Sequence, residues 1–218
     1  MNADSIWPPE VPMPERPPGW PPERTPAPPQ VTVPIVPMEP DRVAERLFER
    51  RMVLASGFLD QPLATHVAAQ LMLLDATDDR PIDLHLSCAD GDLDAAAALA
   101  DTIDLMGVTV RALARGTVGG AALAVLVAAP ERRAQPHVLF VLREPKTQLE
   151  GRASDLATLV AQHQNQLDAL CTRLASATGQ TVDRIAADLR SGTMLTAKEA
   201  VLYGLIHEIA NPTPKSRQ

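Results

Sequence analysis

Lysine is nearly missing from this 218-residue chain: Lys146, Lys198 and Lys215 are the only three. The other cationic side chains are arginines, and 20 Lys and Arg stand against 27 Asp and Glu, for a formal net charge of −7. That balance excludes a nucleic-acid role built on phosphate neutralisation. Aromatic residues amount to 3 %, so the 45 % of hydrophobic residues must build the core from Ala, Leu, Val, Ile and Met. Only two cysteines occur, Cys88 and Cys171, without metal-ligand spacing. They are expected to be free thiols in a reducing compartment, and neither a metal nor a cofactor is expected. No apolar run reaches eighteen residues, so no membrane span is expected. The N-terminus lacks a basic stretch followed by an apolar one, so no secretion signal is expected and the expected location is cytoplasmic.

Proline, by contrast, is concentrated. Fourteen of the 21 prolines fall in residues 1–40, with pairs at 8–9, 17–18, 21–22 and 28–29. Each fixes φ and removes a backbone donor, so neither helix nor sheet propagates there. The segment 1–40 is expected to be disordered or polyproline II, a solvated tail or a removable leader. Trp7 and Trp20 are the features that favour a docking role for it. Residues 41–210 are expected to form the folded domain, and 211–218 a flexible tail.

Within 41–210 the pattern alternates between strand and helix. Arg51–Ala55 reads as a strand ending at Gly57, and Pro62–Ala76 as a helix with Leu63, Val67, Leu71 and Leu74 on one face. Ile82, Leu84 and Leu86 alternate with polar residues as a strand does, and Asp92–Met106 has helical spacing. Thr109–Ala114 reads as a strand, Gly116–Ala128 as a small-residue helix, and Val138–Leu142 as a buried strand. A long helix is predicted over Arg152–Ala177, stopped by Gly179. Helices over Val182–Leu189 and Ala197–Tyr203 follow, the second capped by Thr196. The order predicts an α/β domain of repeated β-α units.

Three stretches carry a family resemblance. Glu49-Arg50-Arg51-Met52-Val53-Leu54, Ala69-Gln70-Leu71-Met72-Leu73-Leu74-Asp75-Ala76 and, most specifically, Thr196-Ala197-Lys198-Glu199-Ala200-Val201-Leu202-Tyr203-Gly204-Leu205-Ile206 resemble the Clp protease proteolytic subunit. The resemblance runs from about Glu45 to Ile209. It implies the crotonase-like fold of that family, with a long handle helix where two seven-membered rings meet, fed by an ATP-driven Clp unfoldase. It also implies a Ser-His-Asp triad. The nucleophile elbow falls on Gly116-Thr117-Val118-Gly119-Gly120-Ala121-Ala122, which puts Gly120 at the serine position. The histidine position falls on Arg143, and the aspartate position, four residues before Thr196, on Gly192. The oxyanion-hole turn falls on Ser87-Cys88-Ala89-Asp90-Gly91, with Gly91 and Ala121 as the backbone donors.

A triad needs an oxygen nucleophile, a base that titrates near neutrality and a carboxylate to orient it. Gly120 has no side chain, Arg143 stays protonated, and Gly192 has no carboxylate. The protease chemistry is therefore expected to be absent. The oxyanion hole is expected to survive through Gly91 and Ala121, with the charge of Asp90 opposing it. A salt bridge between Arg143 and Glu144 is expected to fill the vacated site. Substitutes for the lost groups are few. His85 and Cys88, at an odd spacing on one strand, face opposite sides. His137 lies about 20 Å along its strand from Arg143. His66 and His163 fall near helical core stripes, Ser87 in a turn, Ser191 away from any histidine in sequence, and His207 at the surface.

The expected function is thus a non-catalytic subunit, assembling with itself or with catalytic paralogues and serving a Clp AAA+ unfoldase. The handle segment Lys146–Leu156 keeps its length, but Thr147 and Gln148 replace the family's glycine pair. Two alternatives are a crotonase-like enzyme acting on an acyl thioester through the Gly91 and Ala121 amides, and a weak serine-type peptidase using other residues.

Overall fold

The computed structural model describes residues 40–145 and 153–210. The proline-rich segment 1–39, the handle segment 146–152 with Thr147 and Gln148, and the tail 211–218 lie outside the described residues.

The chain begins with helix α1 (Pro40–Glu49) and strand β1 (Met52–Leu59), then α2 (Gln61–Asp75), β2 (Ile82–Gly91), α3 (Leu93–Asp104) and β3 (Val110–Ala114). Strand β4 (Thr117–Gly119) leads into α4 (Ala122–Ala128), followed by β5 (Glu131–Ala134) and β6 (Leu139–Leu142). The long helix α5 (Ala153–Thr178), α6 (Val182–Ser191), β7 (Thr193–Thr196), α7 (Ala197–Tyr203) and β8 (Glu208–Ile209) complete it. This is the expected α/β architecture of repeated β-α units.

Two sheets organise the domain. The larger is parallel, in the order β1-β2-β3-β5-β8, and the smaller has the order β4-β6-β7. In the small sheet β4 runs parallel to β6, and β6 antiparallel to β7. Along β2 the residues alternate: Leu84, Leu86 and Cys88 are buried, while Asp83, His85 and Ser87 are partly exposed. The buried row joins Val67 and Leu71 of α2, Leu99 of α3 and Leu123 and Leu126 of α4 in one core. Each fully buried leucine contributes about 1.5–3 kcal/mol. His85 and Cys88 therefore do lie on opposite sides.

Several elements differ from the sequence expectation. Strand β1 does not stop at Gly57 but continues to Leu59, its register with β2 shifting between Ser56 and Phe58. The continuation places Leu59 against Gly91, where a Cβ would sit 2.7 Å from the Leu59 carbonyl oxygen, so the turn requires glycine. Residues 116–121 are not the start of a helix. Gly119 lies 2.8 Å, by its would-be Cβ, from the Ala89 carbonyl, and β4 pairs with β6 before α4 begins. The short stretch Glu131–Ala134, to which the sequence pattern assigns no element, is β5. It pairs with β3 and β8 and alternates exposed and buried residues.

Candidate functional site

The small sheet brings three distant parts of the chain to one edge. Gly119 at the end of β4 pairs with Val141, and Leu142 at the end of β6 pairs with Thr193 at the start of β7. The next residues outward are Gly120, Arg143 and Gly192. The end of β2, with Asp90 and Gly91, packs against the same edge. The structure thus gathers Gly120, Arg143, Gly192, Gly91 and Ala121, which lie far apart in sequence.

Gly120 is buried and has φ +53°, a left-handed conformation that non-glycine residues rarely adopt. Its N–H donates to the Val141 carbonyl at 3.1 Å, and its own carbonyl accepts from Leu123 N–H in the first turn of α4. A Cβ built on Gly120 would fall well inside the van der Waals contact distance of Asp90 Oδ1 and 3.0 Å from Asp90 Cγ. The space that a side chain at position 120 would need is filled by the Asp90 carboxylate.

That carboxylate is held at both oxygens. Oδ1 accepts the Gly91 N–H at 2.9 Å, and Oδ2 accepts from the Arg143 guanidinium at 3.0 Å. The Asp90 side chain is 10 % exposed and that of Arg143 42 %. One expectation is corrected here. Arg143 pairs with Asp90 across 53 residues, not with Glu144, whose backbone N–H instead donates to Leu189 O of α6. The Gly91 N–H, expected as an oxyanion donor, is bonded here to Asp90 Oδ1. Sequence spacing drew attention to Asp90 as a neighbour of the turn. Its reach to Arg143 has no local signal.

Gly192 sits as the left-handed cap of α6, with φ +70°, and a Cβ there would meet nothing within 4 Å. The nearby carboxylate is Asp188, committed elsewhere. It accepts from the Tyr203 hydroxyl at 2.6 Å and from the Thr193 hydroxyl at 3.3 Å. Burial, then the bond to Asp188, pushes the Tyr203 phenol well above its ordinary range. Ser191 donates to the Asp188 carbonyl.

The remaining histidines are placed apart from this edge. His66, expected near the core, is exposed on α2, because the buried positions are Ala64, Val67, Leu71 and Leu74. His163 is half-buried on α5, and His137 is exposed. His207 is exposed, and its Nδ1 accepts the Arg132 N–H at 3.2 Å. Cys88 is buried, and burial pushes its thiol up to about 11, the direction opposite to nucleophilic activation. Among the described residues no group of three or more His, Cys, Asp or Glu side chains could hold a metal ion. None of their helices is long and apolar enough to cross a membrane.

The family model for Clp protease matches residues 38–213, reaching beyond the 45–209 range read from the motifs. The ATP-dependent Clp protease proteolytic subunit 2 of Thermobifida fusca (strain YX) is 30 % identical over 184 residues, covering 82 % of this chain and 91 % of its own. Proteolytic subunit 1 of Corynebacterium glutamicum is 32 % identical over 168 residues, covering 75 % and 81 % respectively. Proteolytic subunit 2 of Rhodococcus jostii (strain RHA1) is 29 % identical over 174 residues, covering 78 % and 89 %.

Proposed function

Since the chain belongs to the Clp protease family, we propose that it is a proteolytic-subunit homologue whose own catalytic site is filled by an ion pair, and which acts as a structural or regulatory subunit of a mixed assembly. The observation that carries this reading is the Asp90 carboxylate. It stands where a side chain at position 120 would project, it takes the Gly91 amide, and it binds the guanidinium at position 143.

Each contact removes one requirement of acyl transfer. Gly120 supplies no nucleophile. Arg143 cannot shuttle a proton near neutral pH. The Gly91 N–H, already bonded to an anion, has no capacity left for the negative charge of a tetrahedral intermediate. The same contact argues against the thioester reading, which needs the same amide. For the peptidase reading, no serine or cysteine with a histidine stands at this edge among the described residues.

Assembly is supported by α5. Its second half is buried through Leu167, Leu170 and Leu174, while Leu156 and Val160 on the first half remain exposed at 37 % and 56 %. Such apolar surface on a helix suits a subunit contact. The names of the relatives make a catalytic Clp proteolytic subunit the natural partner, with a Clp unfoldase acting on the assembly and the cytoplasm as its place. The test is to mix the purified chain with a catalytic Clp proteolytic subunit from the same source, and to follow size by light scattering and turnover by a fluorogenic peptide. Co-elution, with turnover falling as the share of this chain rises, is expected. A chain that stays monomeric beside the catalytic subunit, or that cleaves the peptide alone, would contradict it.

A further inference from the structure

Between α5 and α6, behind the strand end that carries Arg143, lies a cavity of about 320 Å³. Leu167, Cys171 and Leu189, all buried, form its floor together with Ala186. Glu144 and Asp168 stand at the rim, and the Gln164 amide donates to Asp168 Oδ1 at 3.0 Å, which fixes that carboxylate. Arg190 also lines the rim, but its Nε is turned along its own helix to the Ala186 carbonyl. The lining thus combines an apolar floor with two carboxylates and one guanidinium. The field of the carboxylates reaches the floor: after burial, Asp168 and Glu144 are the causes that raise the Cys171 thiol, and Arg190 opposes them more weakly.

We propose that this cavity binds an aliphatic cation, an ammonium or guanidinium carried on a short hydrocarbon stem. The stem lies on Leu167 and Leu189, as apolar pocket walls favour. The charged head stays at the rim, between Asp168 and Glu144, where it keeps part of its hydration. An anion of the same size meets two carboxylates against the single guanidinium of Arg190 and binds more weakly than the cation. The site does not use the Asp90–Arg143 pair, so it stands or falls apart from the non-catalytic reading.

Cys171 at the floor provides the readout. The full chain is treated with methanethiosulfonate reagents carrying an aminoethyl, a sulfonatoethyl or a methyl group. Modification of Cys171 is followed by peptide mass spectrometry, which counts Cys88 separately, and each rate is divided by that of the urea-unfolded chain. The normalised rate for the cationic reagent is expected to exceed that for the anionic one by about tenfold, the scale of one net charge at short range in a partly solvated site. Glu144→Gln and Asp168→Asn, both at exposed positions, are each expected to shrink the ratio. Butylguanidine is expected to slow the methyl reagent, and N-acetyl-lysine methylamide tells whether a basic side chain on a backbone enters as the free amine does. Equal rates for the two charged reagents, a ratio that ignores both substitutions, no protection by either cation, or a Cys171 that reacts only when unfolded would each overturn the proposal.

Discussion

Asp90 joins three backbone regions through one carboxylate: the end of β2, the elbow before α4 and the end of β6. Placing a hydroxyl side chain at position 120 alone therefore meets a collision and a left-handed φ at once. Gly120→Ser is expected to cost about 2–3 kcal/mol, from overpacking and backbone strain together. In an Asp90→Ala background the collision is gone, and the cost of the same change is expected to fall to about 1 kcal/mol. Urea denaturation of the four chains of that cycle measures the coupling; an equal cost in both backgrounds would show that Asp90 does not fill the space. The family resemblance puts Gly120, Arg143 and Gly192 at the serine, histidine and aspartate positions, each by its offset from a motif, and the proposed loss of catalysis starts from that assignment. Which group fills the gap is not readable. The Asp90–Arg143 bond depends on two strands from different sheets meeting at their ends, and nothing local to either residue encodes it.

At the scale of elements, Arg132 on β5 shows how a short, polar strand earns its burial. Its guanidinium donates to Ala129 O after α4, Ala177 O in the last turn of α5, and Leu205 O just past α7. The carbonyl ends of three helices carry partial negative charge, so they balance a buried cation without a carboxylate. Arg132→Met is expected to lower stability by about 3–5 kcal/mol, since it leaves several helix-end carbonyls unpaired. Arg132→Lys, with fewer and differently placed donors, is expected to recover only part. Thermal melts of the three chains check this, and a Met variant within about 1 kcal/mol of the parent would refute the account. The same element marks the limit of sequence reading. The helices α2, α3, α5, α6 and α7 are legible because their apolar positions recur at helical spacing over two or more turns. Strands β4, β5, β7 and β8, of two to four residues, are too short to show a period, and they exist only because partners from elsewhere complete their ladders.

For the molecule as a whole, stability is expected to decline on the acid side of neutrality. Partial desolvation, and after it the charge of Arg115 near His85 and of Arg132 near His207, holds their imidazoles below the ordinary value of 6.5. In the unfolded chain they take up protons near 6.5, while in the folded chain they resist. Their contribution is thus complete above 6.5 and is lost as pH falls through the lower folded values. His207 also accepts the Arg132 N–H through Nδ1, a bond that protonation removes. The melting temperature should drop between pH 7.5 and pH 5.5, and His207→Gln should flatten that drop; a flat profile in the parent would contradict it. The α/β class and the family are legible from the order of elements and the C-terminal motif. The apolar stripe from Leu156 to Leu174 already favours the proposed assembly in the sequence, but which part of it stays exposed, Leu156 and Val160, is apparent only once the rest of α5 is seen packed. The central claim is that the site holds an ion pair where acyl transfer would need a nucleophile and an open amide. Intact-mass analysis of the purified chain after a fluorophosphonate, beside a catalytic Clp proteolytic subunit treated alike, tests it most directly. The account predicts an unchanged mass for this chain and a single adduct on the catalytic subunit; a stoichiometric adduct on any serine of this chain would contradict it.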